Sequence, residues 1–212
     1  MHAALGDPHR LAIVDDLTRS DRSPRELSER LGIASNLLAH HLDVLDEAGL
    51  ITRTMSAGDR RRRYVRLSDD PAVRRLTRST RPTRPVLFLC SHNSARSQLA
   101  AALWRSRTGL VADSAGTHPA PQVHRRAVSV GRRHGLDLTT AVPRSINHVP
   151  ARTQVITVCD NAHEELSPAR DWWHWSIPDP VEIDTDAAFE AVVDELNTRI
   201  DRLTDDQQGA TR

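Results

Sequence analysis

At 212 residues the chain exceeds one average domain and accommodates two small ones. It has no apolar run of membrane-spanning length and no signal-peptide pattern at its start, so the expected compartment is cytoplasmic, with no membrane partner. Two cysteines, Cys90 and Cys159, are too few for a secreted disulfide framework; a bond between them is expected to be transient and catalytic. The net charge of +1 hides an asymmetry: residues 1–84 carry 16 arginines against 12 acidic residues, and residues 85–212 carry 13 against 16. A basic first half beside an acidic second half points to nucleic acid as a partner of the first half alone.

Asp7-Pro8 is a helix start, a cap residue followed by proline at the first helical position, with Leu11, Val14 and Leu17 expected on one face. Ser23-Pro24-Arg25-Glu26 is a capping box that opens a short helix ending at Gly32. A third helix begins near Ser35, carries Leu38, Leu42 and Leu45 at helical spacing, and ends at Gly49. Two alternating stretches, Leu50 to Met55 and Arg62 to Leu67, meet around Ala57-Gly58-Asp59 and predict a β-hairpin. Helix, short turn, helix and basic hairpin make a winged helix-turn-helix, mainly α.

This region resembles the arsenic-responsive family of repressors over nearly all of residues 3–70. The matching residues are Ala4-Leu5-Gly6-Asp7-Pro8-His9-Arg10-Leu11, His40-His41-Leu42 with Val44-Leu45, Glu47-Ala48-Gly49-Leu50, and Gly58 and Tyr64 in the wing. The resemblance implies a homodimer on double-stranded operator DNA, with the helix from Ser35 in the major groove. Ser35, Asn36 and His40 are the candidate base contacts, and Arg60, Arg61, Arg62 and Arg63 the candidate contacts to phosphates or the minor groove. His40 and His41 are adjacent on a helix and do not face each other, so a groove-facing and a packing role are expected, and no metal site. Residues 1–84 hold no cysteine, and residues 69–84 lack the His and the spacing of the family's C-terminal metal site. Either the attached second half supplies the signal, or repression is constitutive.

Pro71 to Thr80 predicts a further helix with Ala72, Val73 and Leu76 on one side, followed by an extended linker through Pro82 and Pro85. The expected boundary lies near residue 82, giving domains 1–82 and 83–212. Beyond it the pattern alternates. Strands are expected at Val86 to Leu89, Leu110 to Ser114, Gln154 to Cys159 and Trp173 to Ile177. Helices are expected at Ser97 to Arg107, Gln122 to His134, after Asn161, and at Ala187 to Leu203, where Phe189, Val192, Leu196, Ile200 and Leu203 form a stripe. The expected architecture is an α/β three-layer domain with a parallel four-stranded sheet, its ligand site at the carboxyl end of the first strand.

That strand runs into Cys90-Ser91-His92-Asn93-Ser94-Ala95-Arg96-Ser97, a loop opening a helix. A helix start offers unpaired N–H groups and the positive end of the macrodipole, which push a thiol toward thiolate. A guanidinium matches a tetrahedral oxyanion bidentately. The loop, with Ser114 to Thr117 and Asp179-Pro180, strongly resembles the low-molecular-weight tyrosine phosphatase fold. Within that superfamily residues 86 to about 203 are closer to arsenate reductases, through Cys90 to Gln98, Val155 to Ala162, and His174-Trp175 before Pro178-Asp179-Pro180. True phosphatases of this fold carry aromatic residues after the Asp-Pro pair; Val181 and Glu182 stand here.

The resemblance implies arsenate, or phosphate, on the loop from Ser91 to Ser97 and on Arg96. It implies Cys90 as nucleophile, Asp179 as general acid, Ser97 as hydrogen-bond donor to the thiolate, Asn93 as a support of the loop, and Cys159 as the thiol that attacks the first sulfur. Thioredoxin-coupled reductases carry a third cysteine seven residues after the second; here it is Leu166. The cascade therefore either stops at the Cys90–Cys159 pair or is completed by an external thiol reductant of the mycothiol, glutathione or thioredoxin type, with no bound cofactor. The alternatives are a phosphatase and a non-catalytic oxyanion sensor governing the DNA-binding half.

Overall fold

The computed structural model describes residues 1–77 and 81–204; one compact unit holds residues 1–77 together with residues 202–204, and the other holds residues 81–201. Each unit is built around its own apolar interior.

The first unit opens with a short 3-10 turn, His2–Gly6, followed by α1 (Pro8–Leu17), α2 (Pro24–Leu31) and α3 (Ser35–Glu47). The starts follow local chemistry. The Asp7 carboxylate accepts from the backbone N–H groups of His9 and Arg10 at 2.9 and 3.1 Å, and Ser23 and Glu26 form both halves of the capping box. Gly32 ends α2 with φ of +66°, a left-handed conformation that disfavours a side chain. Strands β1 (Ile51–Met55) and β2 (Arg63–Leu67) pair antiparallel, Ile51 opposite Leu67 and Met55 opposite Arg63. Mutual backbone bonds between Arg22 and Val65 tie the link before α2 to the second wing strand. Ile13, Leu17, Leu27, Leu38, Leu45 and Val65 are wholly buried in one cluster. Each such side chain contributes roughly 1.5–3 kcal/mol through burial.

Two expectations are corrected here. Leu11 is exposed on α1 and Ile13 takes its place in the interior, because the apolar arc is turned away from Leu11. Helix α4 spans only Pro71–Leu76 and buries Val73 alone; Ala72 and Leu76 are exposed, and Thr77 is extended. Residues 78–80, the end of the expected helix and the start of the linker, lie outside the described residues.

In the second unit, strands β3 (Val86–Cys90), β4 (Ala112–Gly116), β5 (Gln154–Thr157) and β6 (Trp173–His174) form one parallel sheet in the order β4-β3-β5-β6. Every residue of β3 is buried, as a central parallel strand requires. Phe88 packs against Trp104 and Trp175 at ring-centroid separations of 5.9 and 5.7 Å, whereas Leu87 and Leu89 join Ala115 and Val155 in a separate cluster that Ile146 and Leu166 partly cover. The intervening helices are α5 (Arg96–Thr108), α6 (Arg125–Arg133) and α7 (Asp160–Leu166). Two more follow, the short α8 (Pro180–Ile183), which the sequence pattern does not anticipate, and α9 (Asp186–Thr204). The α9 stripe of Phe189, Val192, Leu196, Ile200 and Leu203 is buried. Strand β6 is two residues long, shorter than the expected Trp173 to Ile177, because only Trp173 and His174 pair with β5.

Among the described residues no helix is long and apolar enough to cross a membrane.

Candidate active site

The carboxyl ends of β3, β4 and β5 emerge side by side, and the loop after β3 fills the space they define. Cys90 closes β3, and Arg96 opens α5. The loop is held by its own polar side chains. Asn93 adopts a left-handed backbone with φ of +48°; its amide nitrogen donates to Ser97 Oγ at 2.8 Å, and its Oδ1 accepts from the Arg144 backbone at 2.8 Å. Gln98 reaches back to the Asn93 carbonyl at 3.2 Å. Gly116 lies beneath the loop. A Cβ there would stand 2.5 Å from the Ser91 carbonyl oxygen and 2.9 Å from the Asn93 nitrogen, so only glycine lets β4 support the loop at this height.

Around the thiol, Ser97 Oγ lies 3.0 Å from Cys90 Sγ and the Asn93 N–H donates to the same sulfur at 3.2 Å. Arg96 is buried, donates from Nη1 to the Ile177 carbonyl at 3.0 Å, and is bound through Nη2 by the Asp179 carboxylate. Asp179 is itself the N-cap of α8, accepting from the Val181 N–H at 3.0 Å through its other oxygen. The electrostatic balance departs from the sequence expectation of a lowered thiol. Burial pushes the Cys90 thiol up, and this outweighs the downward pull of Arg96 and the Ser97 hydrogen bond. Burial opposes the charge on Arg96, yet the acidic groups around it, Asp179 among them, hold the guanidinium above its ordinary value.

Cys159 is buried immediately before α7, and its sulfur lies 3.3 Å from Ser91 Oγ. The fold thus brings Cys90, Ser91, Asn93, Arg96, Ser97, Asp179 and Cys159 to one place. Ser94 and Ala95 are buried in the same loop, and His92 is exposed beside it. A depression of about 450 Å³ opens next to the loop, lined by His92, Ser94, Pro121, His124, Arg125 and Val181. Sequence reasoning misses a buried polar cluster behind Cys159. Thr157 Oγ1 lies 2.9 Å from Nδ1 of both His163 and His174, whose rings stack at 4.1 Å, and His174 Nε2 lies 3.1 Å from Asp160 Oδ1. Its signal is a Thr157/His174 pair across adjacent strands, visible only once the β5–β6 register is known.

In the first unit, Ser35, Asn36 and His40 are exposed on α3, and Arg60, Arg61, Arg62 and Arg63 are exposed at the tip and return of the hairpin. His41, next to His40 on α3, is buried. The expectation of no metal ligands rests on the His40–His41 adjacency. It does not foresee that Asp7 and His9, more than thirty positions earlier, come up against His41.

A profile of the family described as low molecular weight phosphotyrosine protein phosphatase matches residues 85–210, and one described as a helix-turn-helix domain matches residues 5–54. Among solved structures, the tyrosine phosphatase Wzb from Escherichia coli K30, solved with sulphate, is 21% identical over 58% of this chain and 97% of its own, with a TM-score of 0.51. A low molecular weight protein tyrosine phosphatase from T. tengcongensis is 20% identical over 58% of this chain and 99% of its own, also at 0.51. An arsenate reductase from Archaeoglobus fulgidus DSM 4304 is 29% identical over 56% and 97%, at 0.47. The two phosphatase likenesses establish the fold of the second unit.

Proposed function

The chain belongs to the low molecular weight phosphotyrosine protein phosphatase family, joined to a helix-turn-helix domain, and from that premise we propose that it is a thiol-dependent arsenate reductase fused to a DNA-binding repressor. The observation that carries the enzymatic half is the second thiol: the buried Cys159 stands against the oxyanion loop, its sulfur 3.3 Å from Ser91 Oγ. The wall of the depression supports the same reading, since its lining holds two imidazoles, His92 and His124, but no phenylalanine, tyrosine or tryptophan to sandwich a phenol ring.

Arsenate enters on the loop amides and on Arg96, displacing the Asp179 carboxylate from the guanidinium. The Cys90 thiol gives its proton to the Asp179 carboxylate that arsenate has set free, and the thiolate sulfur bonds to arsenic as an As–O bond breaks. Asp179, protonated after leaving Arg96, delivers its proton to the departing oxygen, which leaves as water. Cys159 thiolate then attacks Cys90 sulfur. A disulfide forms, the electron pair of the S–As bond stays on arsenic, and arsenic falls from the pentavalent to the trivalent state as arsenite. An external dithiol or low-molecular-weight thiol system returns the pair to thiols, and both steps take place in the cytoplasm.

In the DNA-binding half, two copies of the first unit place α3 in successive major grooves, with Ser35, Asn36 and His40 toward base edges and Arg60, Arg61, Arg62 and Arg63 toward phosphates. The domains act as 1–82 and 83–212.

The test is purified protein with arsenate and, separately, mycothiol, glutathione and thioredoxin systems, scored for arsenite, beside an aryl phosphate hydrolysis assay. Arsenite formation that requires both Cys90 and Cys159 supports the reading. Hydrolysis with no arsenite in any system replaces it with a phosphatase.

A further inference from the structure

Asp7, His9 and His41 come from two elements, the cap and first turn of α1 and the middle of α3. One ligand atom from each lies within 4.8 Å of the others. Asp7 Oδ1 is 3.8 Å from Nδ1 of His9 and 3.8 Å from Nδ1 of His41. The imidazoles stack at a centroid distance of 5.3 Å. The three are graded in exposure: His41 is buried, Asp7 half-buried and His9 open to solvent.

The second observation is independent of that grouping. Both ring nitrogens of His41 are buried with no hydrogen-bond partner. Buried polar atoms are paired in the great majority of cases, and one left bare costs about 1–3 kcal/mol. A packing role uses the ring carbons and leaves both nitrogens unexplained. An ion at the cluster satisfies one of them.

We propose that Asp7, His9 and His41 bind a divalent transition-metal ion of the zinc class, fastening the start of α1 to the helix that carries the candidate base contacts. The donor set decides the class. Two imidazoles and one carboxylate suit zinc and its neighbours, whereas calcium and magnesium demand more oxygen ligands than the cluster supplies. Local charge points the same way. The N-terminus of α1 and the Arg10 guanidinium, 4.0 Å from Asp7 Oδ2, oppose a cation held only by the field of one carboxylate. Only an ion that forms strong bonds to imidazole nitrogen overcomes them. Oδ1, the oxygen that faces both imidazoles, also takes the two capping N–H groups, so the ion shares it with the helix cap. The exposure of His9 leaves the remaining coordination positions to water.

The proposal does not rest on the chemistry of the second unit, and its test removes that chemistry. The full chain carrying Cys90→Ser and Cys159→Ser, so that no thiolate competes, is titrated with Zn2+ against a chromophoric chelator, and with Co2+ by visible absorption. One ion per chain is expected, and the ring C–H resonances of His9 and His41 should shift together on adding Zn2+. His9→Ala, on an exposed residue, and Asp7→Asn, which keeps a capping oxygen, should each weaken binding about tenfold or more. Retention of the helical circular dichroism in both variants shows that the loss is one of ligands, not of fold. Absence of binding at sub-millimolar Zn2+, or affinity in His9→Ala and Asp7→Asn equal to that of the parent, overturns the proposal.

Discussion

Arg96 and Asp179, 83 residues apart in sequence, form a partly buried ion pair at the mouth of the loop from Cys90 to Ser97. The carboxylate takes one arm of the guanidinium, and the Ile177 carbonyl takes another. The guanidinium is therefore already engaged, and so is the Asp179 carboxylate. Asp179→Asn should thus have two opposite effects. Alkylation of Cys90 by iodoacetamide, followed in a Cys159→Ser background, should move to lower pH because Arg96 acts on the thiol undivided. Arsenite formation should fall by roughly 10²-fold or more through loss of the general acid. An alkylation profile that does not move would show that Asp179 does not shield the thiol from Arg96.

The raised Cys90 thiol sets a pH dependence. In the folded protein the thiol ionises above its ordinary value because burial dominates, while the unfolded chain ionises at the ordinary value. Below the unfolded value both states hold the proton and the group adds no slope. Between the two values the unfolded chain has lost its proton and the folded chain has not, so stability falls as pH rises through that window. Chemical denaturation across the alkaline range should show this decline, and Cys90→Ser should flatten it.

Gly116→Ala tests the support of the loop. The added Cβ meets two backbone atoms of the loop, Ser91 O and Asn93 N, and neither can swing aside as a side chain would. The expected cost is about 1–3 kcal/mol, as for overpacking elsewhere, with the loop displaced from β4. Phosphate should raise the melting temperature of the parent and leave that of Gly116→Ala unchanged, with the far-ultraviolet spectrum intact.

The four hairpin arginines are exposed, and replacing Arg60, Arg61, Arg62 and Arg63 together by Ala should weaken DNA binding without loss of fold. The slope of log affinity against log salt should become shallower by about 0.9 for each phosphate that the variant no longer neutralises. A slope equal to that of the parent would remove these residues from the interface.

Much of this molecule is written locally. The capping box at Ser23 and Glu26, the stop at Gly32, and the buried run from Val86 to Cys90 follow from residues close in sequence, and each is legible without coordinates. The loop from Cys90 to Ser97 is equally plain, since its chemistry is contiguous. What escapes is whatever depends on residues meeting across elements. A helix start predicts a lowered Cys90 thiol, yet the burial that wins over it comes from the surrounding packing. Gly116 lies inside a legible motif, but its reason, two backbone atoms under 3 Å from where a Cβ would be, belongs to the β3–β4 register. Asp7 reads as a cap alone and His41 as packing alone, because nothing in either segment speaks of the other. Leu11 falls outside the interior because helical spacing fixes which residues share a face and not which face is covered.

The unequal lengths of β3 and β6 have a consequence for local opening. Strand β3 is laddered on both sides along its length, whereas β6 holds to β5 by two residue pairs at the edge of the sheet. Amide hydrogen exchange should accordingly be slowest around Phe88 and fast around Trp173, the free energy of opening grading from the full stability of the unit to a fraction of it. Cys90 thus closes a strand held on both sides, whereas Asp179 follows a strand held on one. Local opening at that margin should therefore reach the segment that carries Asp179 well before it reaches Cys90.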